Sequence, residues 1–481
     1  MAGNSVPPPP PSPLAHILVF PYPAQGHTLP LLDLIHHLLT LRRFSVTVVT
    51  TPKNLHSLST LISLHHPLLR PLIFPFPHHH LLPAGVENVK DIGNSGNLPI
   101  VNALHKLSNP ITVWFDSQPD PKPIALISDF FLGWTLSLST RLGIPRFAFF
   151  SSGAFLASLT DKLFRDPVAM RNLDCIVFDE LPGSPSFKAE HLPSMFRRYV
   201  PDDPDWELVR EGVLSNLVSH GCIFNSFQAL EGPSFDFLKG KMGHENVFAI
   251  GPVSMFGIDR NPNSSSSNVV EWLEHCQDGS VLYVCFGSQK LMSKDQMEAL
   301  ATGLEKSRVR FVWVVKPGSE ESGQGVVPDG FEDRVSGKGI VVKGWVDQVT
   351  ILGHRAVGGF LSHCGWNSVL EGVAAGVTIL GWPMEADQFV NARLLVEDLG
   401  VAVRVCEGGD TVPDPVELGN RIAESMSNVL GERKGAEELK KKALTAIEEG
   451  GSSRIDLDRL VHQLHKLHSQ SQNEIEVQSH N

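Results

Sequence analysis

The chain alternates short, continuous apolar runs with longer stretches in which apolar residues recur every three to four positions. The runs are rich in β-branched and aromatic residues, the pattern of strands buried on both faces, and the longer stretches read as helices with one apolar stripe. In the first half the runs cover residues 16–20, 46–49, 124–128, 146–149 and 221–225, and a helical stripe over 29–39 joins the first two. In the second half they cover 281–286, 311–315, 339–342, 358–361 and 378–380, interleaved with helices over 294–306, 368–375 and 391–399. Strand and helix in alternation imply parallel sheets covered on both sides. The expected fold is therefore α/β, with two facing Rossmann-like domains and a cleft between them.

Breaks in this pattern give the boundaries. Five prolines from Pro7 to Pro11 predict an extended, disordered lead over residues 1–13. The first domain is then 14–252. Asn261, Pro262, Asn263 and the serines Ser264 to Ser267 mark a linker over 253–268. The second domain is 269–455, and a helix with a polar tail, fraying from His468, fills 456–481.

Composition narrows the function. At 481 residues the chain has room for two domains. A formal charge of -12 argues against a nucleic-acid binder and against adhesion to an anionic membrane. The six cysteines form no C-x-x-C pair and read as reduced thiols. No apolar run reaches the roughly 18 residues of a spanning helix. The Leu-rich stretch 17–41 is interrupted by Gln25 and Asp33 and has no basic leader, because the first Lys or Arg is Arg42. A cytoplasmic, monomeric protein with no membrane span is expected.

The chemistry concentrates in residues 345–388. His363 follows a strand, and Gly365, Trp366, Asn367 and Ser368 open a helix, whose first N–H groups and dipole make an anion site. Gly287 and Ser288 offer a second close approach of backbone to phosphate. Trp345 sits between a strand and a short helix, where an indole can stack a planar base. Glu371 lies one turn beyond Asn367 and can accept hydroxyl protons. On residue chemistry alone, Asn367 or Ser368 could merely cap the helix and Glu371 could be a solvated surface group. In the first half, His27 follows the first strand, where open α/β sheets bind ligands. An imidazole there suits a general base. Asp129, just after another strand, can orient it, or can serve simply as a helix cap. The stretch around His27 has one glycine and is no dinucleotide fingerprint. The histidines at 65–66 and 78–80 read as surface loops, and no ligand set for a metal accompanies them.

Residues 345–388, with His363, Cys364, Gly365, Trp366, Asn367 and Ser368 in unbroken order, resemble the signature box of plant secondary-product UDP-sugar glycosyltransferases, in particular the flavonol- and phenolic-glycosylating subgroup. The resemblance implies that Trp345 stacks on uracil and the Val346 backbone pairs with its edge. It implies ribose contacts from Gln348 and Glu371, and diphosphate contacts from His363, Asn367, Ser368 and Ser288. Trp366, Asp387 and Gln388 would hold the sugar, with Ser151 a looser match to a sugar contact. His27 would be the base and Asp129 its partner. No metal is implied, and a closing Gln388 goes with glucose. Asp347 and Thr378 stand where the family usually has proline, and the pair Val346-Asp347 occurs in a subgroup that includes UDP-rhamnose users. The expected reaction is inverting O-glucosylation of an apolar hydroxylated acceptor, a flavonoid or simple phenolic, bound near Phe130, Phe131, Phe150, Phe155 and residues 75–77. UDP-rhamnose or UDP-xylose as donor, a UDP-sugar epimerase or hydrolase, and a non-catalytic relative are the alternatives.

Overall fold

The computed structural model describes residues 14–40, 44–119, 121–171, 173–256, 267–287, 290–318, 323–427 and 431–479. The lead 1–13, residues 257–266 of the expected linker, and Ser288 lie outside them.

The first half supplies β1 (Ala15–Phe20), β2 (Phe44–Thr50), β3 (Leu69–Ile73), β4 (Ala125–Asp129) and β5 (Arg146–Phe150). A small antiparallel hairpin follows, β6 (Cys175–Val177) with β7 (Ser186–Lys188), then β8 (Gly221–Phe224) and β9 (Val247–Ala249). Apart from the hairpin they form one seven-stranded sheet, ordered β3-β2-β1-β4-β5-β8-β9, with every pair parallel. The second half supplies β10 (Val281–Cys285), β11 (Arg310–Val315), β12 (Gly339–Lys343), β13 (Val357–Ser362), β14 (Thr378–Gly381) and β15 (Ala402–Arg404). These form a six-stranded parallel sheet, ordered β12-β11-β10-β13-β14-β15. The central strands are buried along nearly their whole length, which is why they read as unbroken apolar runs.

In each sheet the strand order reverses once, between β1 and β4 and between β10 and β13. Crossover connections leave in opposite directions at such a point, so a crevice opens beyond the carboxyl ends of the two strands. His27 and Asp129 sit at the first crevice; Gly287 and His363 sit at the second.

Five strands have no counterpart in the apolar pattern: the two of the hairpin, with three residues each, and three in the parallel sheets. β3 is an edge strand with Pro71 at its centre and one fully buried residue, and β9 and β15 have three residues each. The helix expected over 391–399 starts at Gln388, runs to Arg393 and continues as a π turn, Leu394–Asp398. The last helix begins at Ser452 and runs unbroken to Ser479, so the polar tail expected to fray is helical. That helix crosses back to the first domain, where Leu457, Leu460, Val461 and Leu464 join the core beneath β1 and β2. Ser453 donates to the Gly251 carbonyl at 2.6 Å, and Asp456 accepts the Ala249 N–H at 2.8 Å. Two histidines depart from the surface-loop expectation. His65 closes the helix Ser59–His65 with its Nε2 2.8 Å from His36 Nδ1, and His79 is buried with its Nε2 3.2 Å from Asp205 Oδ2.

Candidate active site

His27 is the third residue of the helix Gln25–Thr40, and Asp129 ends β4. Parallel pairing of β1 with β4 brings them together: His27 Nδ1 lies 2.9 Å from Asp129 Oδ2. Asp129 is fully buried and its other oxygen, Oδ1, accepts the Phe131 N–H at 2.8 Å. It is thus both the partner of the histidine and the cap of a short turn, one oxygen for each. The imidazole stacks on Phe130 at 5.3 Å between centroids and is flanked by Phe131 and Tyr22 at 4.6 and 5.2 Å. With Nδ1 donating to the carboxylate, Nε2 keeps its lone pair for a proton.

Behind this pair lies a buried cation with neutral ligands. Arg146 Nε donates to Ser128 Oγ and Thr135 Oγ1 at 2.8 and 2.9 Å, Nη1 to Ser219 Oγ at 2.8 Å, and Nη2 to Asn216 Oδ1 at 3.0 Å. Burial pulls its guanidinium down to about 10, against the nearby Cys222 and Asp129. Asn216 Nδ2 in turn holds the Phe130 carbonyl at 2.9 Å. Arg146 therefore braces the segment that carries Asp129 and the stacked Phe130.

In the second domain, the helix Trp366–Ala375 starts at Gly365 without any side-chain cap, so neither Asn367 nor Ser368 plays that part. The His363 ring fills the space between two glycines: a Cβ at Gly287 would stand 2.8 Å from its Nε2, and one at Gly365 2.6 Å. Gly287 also has φ +76°, so any other residue there would be strained as well as crowded. Burial pushes His363 down to about 4, and its Nδ1 is buried without a partner among the described residues. It is a neutral ring with an unused polar atom beside an uncapped helix start. That arrangement suits a diphosphate.

Gln348 opens the helix Gln348–Leu352, whose cap is Asp347: Oδ1 accepts the Thr350 N–H at 3.2 Å. The residue that replaces the usual proline thus fixes where Gln348 stands. Gln348 Nε2 donates to Glu371 Oε2 at 2.5 Å and approaches Ser368 Oγ at 3.3 Å, while its Oε1 accepts from Tyr283 at 3.2 Å. Trp345, 59% exposed, stands at the mouth beside Val346.

Asn367 and Trp366 also tie the domains together. Asn367 Nδ2 donates to the Gly26 carbonyl at 2.8 Å, leaving its buried Oδ1 unpaired among the described residues. Trp366 Nε1 donates to the Asn225 carbonyl at 2.8 Å. Gln388 is buried, and its Oε1 accepts the N–H groups of Met384 and Glu385 at 2.9 and 3.0 Å. This fixes the amide so that its NH2 is the group left to offer. Burial pushes the Asp387 carboxyl up, against a 2.9 Å hydrogen bond from Asn391 and the nearby His27.

His27 and, from the second domain, Trp345, Val346, Gln348, His363, Trp366, Asn367, Ser368, Glu371, Asp387 and Gln388 line one cavity of about 830 Å³ between the domains, whereas Asp129, Tyr22 and Arg146 are not part of its lining. Its wall on the first-domain side is apolar, with Phe130, Phe131 and Phe150, and includes the buried Ser151 and Ser152, whose hydroxyls have no partner among the described residues. Phe155 and residues 75–77 are not part of it. Phe155 packs near Phe187, with ring centroids 6.2 Å apart, and Phe76 packs against the core beyond β1. Sequence reading missed Tyr22, Arg146, Asn225 and Glu231. Glu231 is buried and accepts the Ala154 and Phe155 N–H groups at 3.0 and 2.9 Å, capping the helix beside Ser151. Of these, only Arg146 gave a signal, a charge at the head of an otherwise apolar run. Among the described residues, no cluster of three or more His, Cys, Asp or Glu could hold a metal, and no helix is long and apolar enough to cross a membrane.

Comparison with known proteins finds relatives that span nearly the whole chain. Residues 253–412 match the family model described as UDP-glucoronosyl and UDP-glucosyl transferase. The chain is 54% identical to UDP-glycosyltransferase 89A2 of Arabidopsis thaliana, over 96% of this chain and 97% of that one. It is 47% identical to the flavonol 3-O-glucosyltransferase UGT89B1 of the same plant, over 93% and 95%. The solved structure of Arabidopsis thaliana UGT89C1 complexed with UDP-L-rhamnose superposes with a TM-score of 0.78 at 35% identity, covering 94% of this chain and all of that one.

Proposed function

The chain belongs to the family of plant UDP-glycosyltransferases, and from that premise we propose that it transfers glucose from UDP-glucose to a hydroxyl of a flavonoid or simple phenolic, with inversion to the β-glucoside. The observation that carries the catalytic part is the His27–Asp129 contact at 2.9 Å facing the interdomain cavity. His27 Nε2 takes the acceptor's proton. The acceptor oxygen bonds to the anomeric carbon from the face opposite UDP as the bond to the diphosphate breaks, and UDP leaves with that electron pair. Asp129 fixes the tautomer and stabilises the imidazolium.

The uncapped helix start, Asn367, Ser368 and His363 receive the diphosphate, in a role that needs no divalent cation. Trp345 and Val346 hold the uracil, Gln348 and Glu371 the ribose. The Gln388 NH2 and Asp387 hold the sugar hydroxyls, joined by Trp366 and Ser151. Glucose as donor is supported by the clamped Gln388 and by likeness to a flavonol glucosyltransferase. A second reading, UDP-rhamnose, is favoured by the likeness to the UDP-L-rhamnose complex. The aromatic wall supports a flat acceptor.

Incubation with flavonols, hydroxybenzoates and small terpenols, against UDP-glucose, UDP-rhamnose, UDP-galactose and UDP-xylose, with and without EDTA, separates these by product mass. Gain of one hexose from UDP-glucose, unchanged by EDTA, is the expected result. A deoxyhexose product would replace the donor assignment, and loss of activity with EDTA would overturn the metal-free one.

A further inference from the structure

Three contacts between the domains converge on the turn just before Gln388. Asn94 Nδ2 donates to Glu385 Oε1 at 2.7 Å. Arg198 Nη2 lies 3.7 Å from Glu385 Oε2. The Ser194 N–H donates to the Ala386 carbonyl at 3.2 Å. Asn94 belongs to one first-domain loop, and Ser194 and Arg198 to another, the helix Ser194–Arg198. All five residues line the cavity. Ala386 has φ +56°, a conformation that costs a residue with a Cβ on the order of 1 kcal/mol, so the turn holds its shape only if its surroundings hold it. The Glu385 N–H is also one of the two donors that fix Gln388. One residue thus grips two first-domain loops with its side chain and the sugar-facing amide with its backbone.

The same seam continues deeper. His191 stacks on Phe389 with centroids 4.5 Å apart, and Val390 lies in an otherwise first-domain hydrophobic cluster.

We propose that Glu385 is a positioning residue that fastens the two acceptor-side loops, around Asn94 and around Ser194–Arg198, to the turn that holds the donor sugar. The inference rests on the assignment of Asp387 and Gln388 to the sugar. With the loops fastened, the acceptor oxygen occupies the line of attack on the anomeric carbon. With them loose, water reaches the same line. Its oxygen then bonds to the anomeric carbon, the bond to UDP breaks, its proton passes to His27, and free sugar forms instead of product.

The test compares wild type with E385A, E385Q, N94A and N94A/E385A. With UDP-glucose and quercetin, E385A is expected to raise the acceptor KM by about tenfold, the effect of losing a hydrogen bond to a charged group. It should also raise the ratio of UDP-glucose hydrolysis to transfer, while leaving the Kd for UDP unchanged. E385Q, which keeps an acceptor for Asn94, should fall between wild type and E385A. N94A/E385A should cost no more than E385A alone. Amide hydrogen exchange of the UDP-bound proteins reads the loops directly: residues 94–98 and 194–198 should exchange faster in E385A. An acceptor KM and hydrolysis ratio equal to wild type, or a loss confined to UDP affinity, would overturn the proposal. If wild type fails to use UDP-glucose with quercetin, the donor and acceptor assignment falls. The exchange measurement still decides this inference, with faster loop exchange supporting it and unchanged exchange overturning it.

Discussion

Each oxygen of Asp129 has one task, and a substitution can separate them. Asn at 129 can still accept the Phe131 N–H but carries no charge to stabilise an imidazolium. D129N and H27A are therefore both expected to lower kcat by roughly 10²–10⁴, the usual range for a positioned base, with the Kd for UDP unchanged. Steady-state kinetics alongside calorimetric UDP titration checks this, and near-normal kcat in H27A would remove the base assignment. A second consequence belongs to two buried imidazoles. His363 is pulled down to about 4 by burial, and His37 to about 4 by burial, His36 and Arg454. Both sit below the ordinary value of 6.5, so between about pH 4 and 6.5 the unfolded chain binds more protons. The stability they contribute is complete above pH 6.5 and is lost as pH falls toward 4. At pH 5 each should cost on the order of 2 kcal/mol. Denaturant melts at pH 7.5 and 5 should show that drop, and H37N should make it smaller. Residues at this scale were legible when they sat in a dense motif. Arg146, Glu231 and Asn225 escaped because their partners lie far along the chain and a lone polar residue does not announce them.

At the scale of elements, most strands that could be read from the sequence are buried on both faces; β12, a half-buried edge strand, was read from its own short apolar run. β3 hid behind Arg70 and Pro71 because an edge strand needs neither an unbroken apolar run nor every N–H. β9 and β15 hid because three residues carry no period. One helix start was read from the glycine that follows a strand, at Gly365. Where the chain continues into a π turn after Arg393, the three-to-four spacing persisted and concealed the change. Packing between elements was not legible at all. The turn after β4 meets the helix Pro204–Asn216 through Gly133, where a Cβ would stand 1.9 Å from the Gly212 carbonyl. That helix carries Asn216, one of the braces of Arg146. G133A should therefore destabilise the protein by about 1–3 kcal/mol, the usual cost of overpacking, and lower kcat as Asp129 shifts. A thermal melt together with a kcat measurement tests both parts, and an unchanged melt would mean the two elements are less rigidly packed than their contact implies.

At the scale of the whole molecule, two sheets of one design meet with their switch points facing a shared cavity, and the two halves of the chemistry come from different domains. The sequence announced two Rossmann-like domains. It did not announce that the last helix belongs with the first domain, because an apolar stripe says that a helix packs, not where. Removing residues 452–481 would strip Leu457, Leu460, Val461 and Leu464 from the first-domain core and uncover Phe44, which stacks on His465, and Phe248, over which Arg459 lies. Truncation at Gly451 should leave the first domain unfolded or aggregated under native conditions, measured by solubility and circular dichroism. A soluble truncated chain with full UDP and acceptor binding would show the helix to be dispensable.

The returning helix also sets an order of events during synthesis. The ribosome makes the seven strands of the first sheet long before residue 452, yet that sheet lacks a cover over one part of its core until the final segment emerges. The second domain, whose strands are complete by Arg404, can close while the chain is still tethered, so the domain made first is the one finished last. Chaperone dependence should therefore concentrate on the N-terminal half of the nascent chain and end only once the helix Ser452–Ser479 has left the exit tunnel.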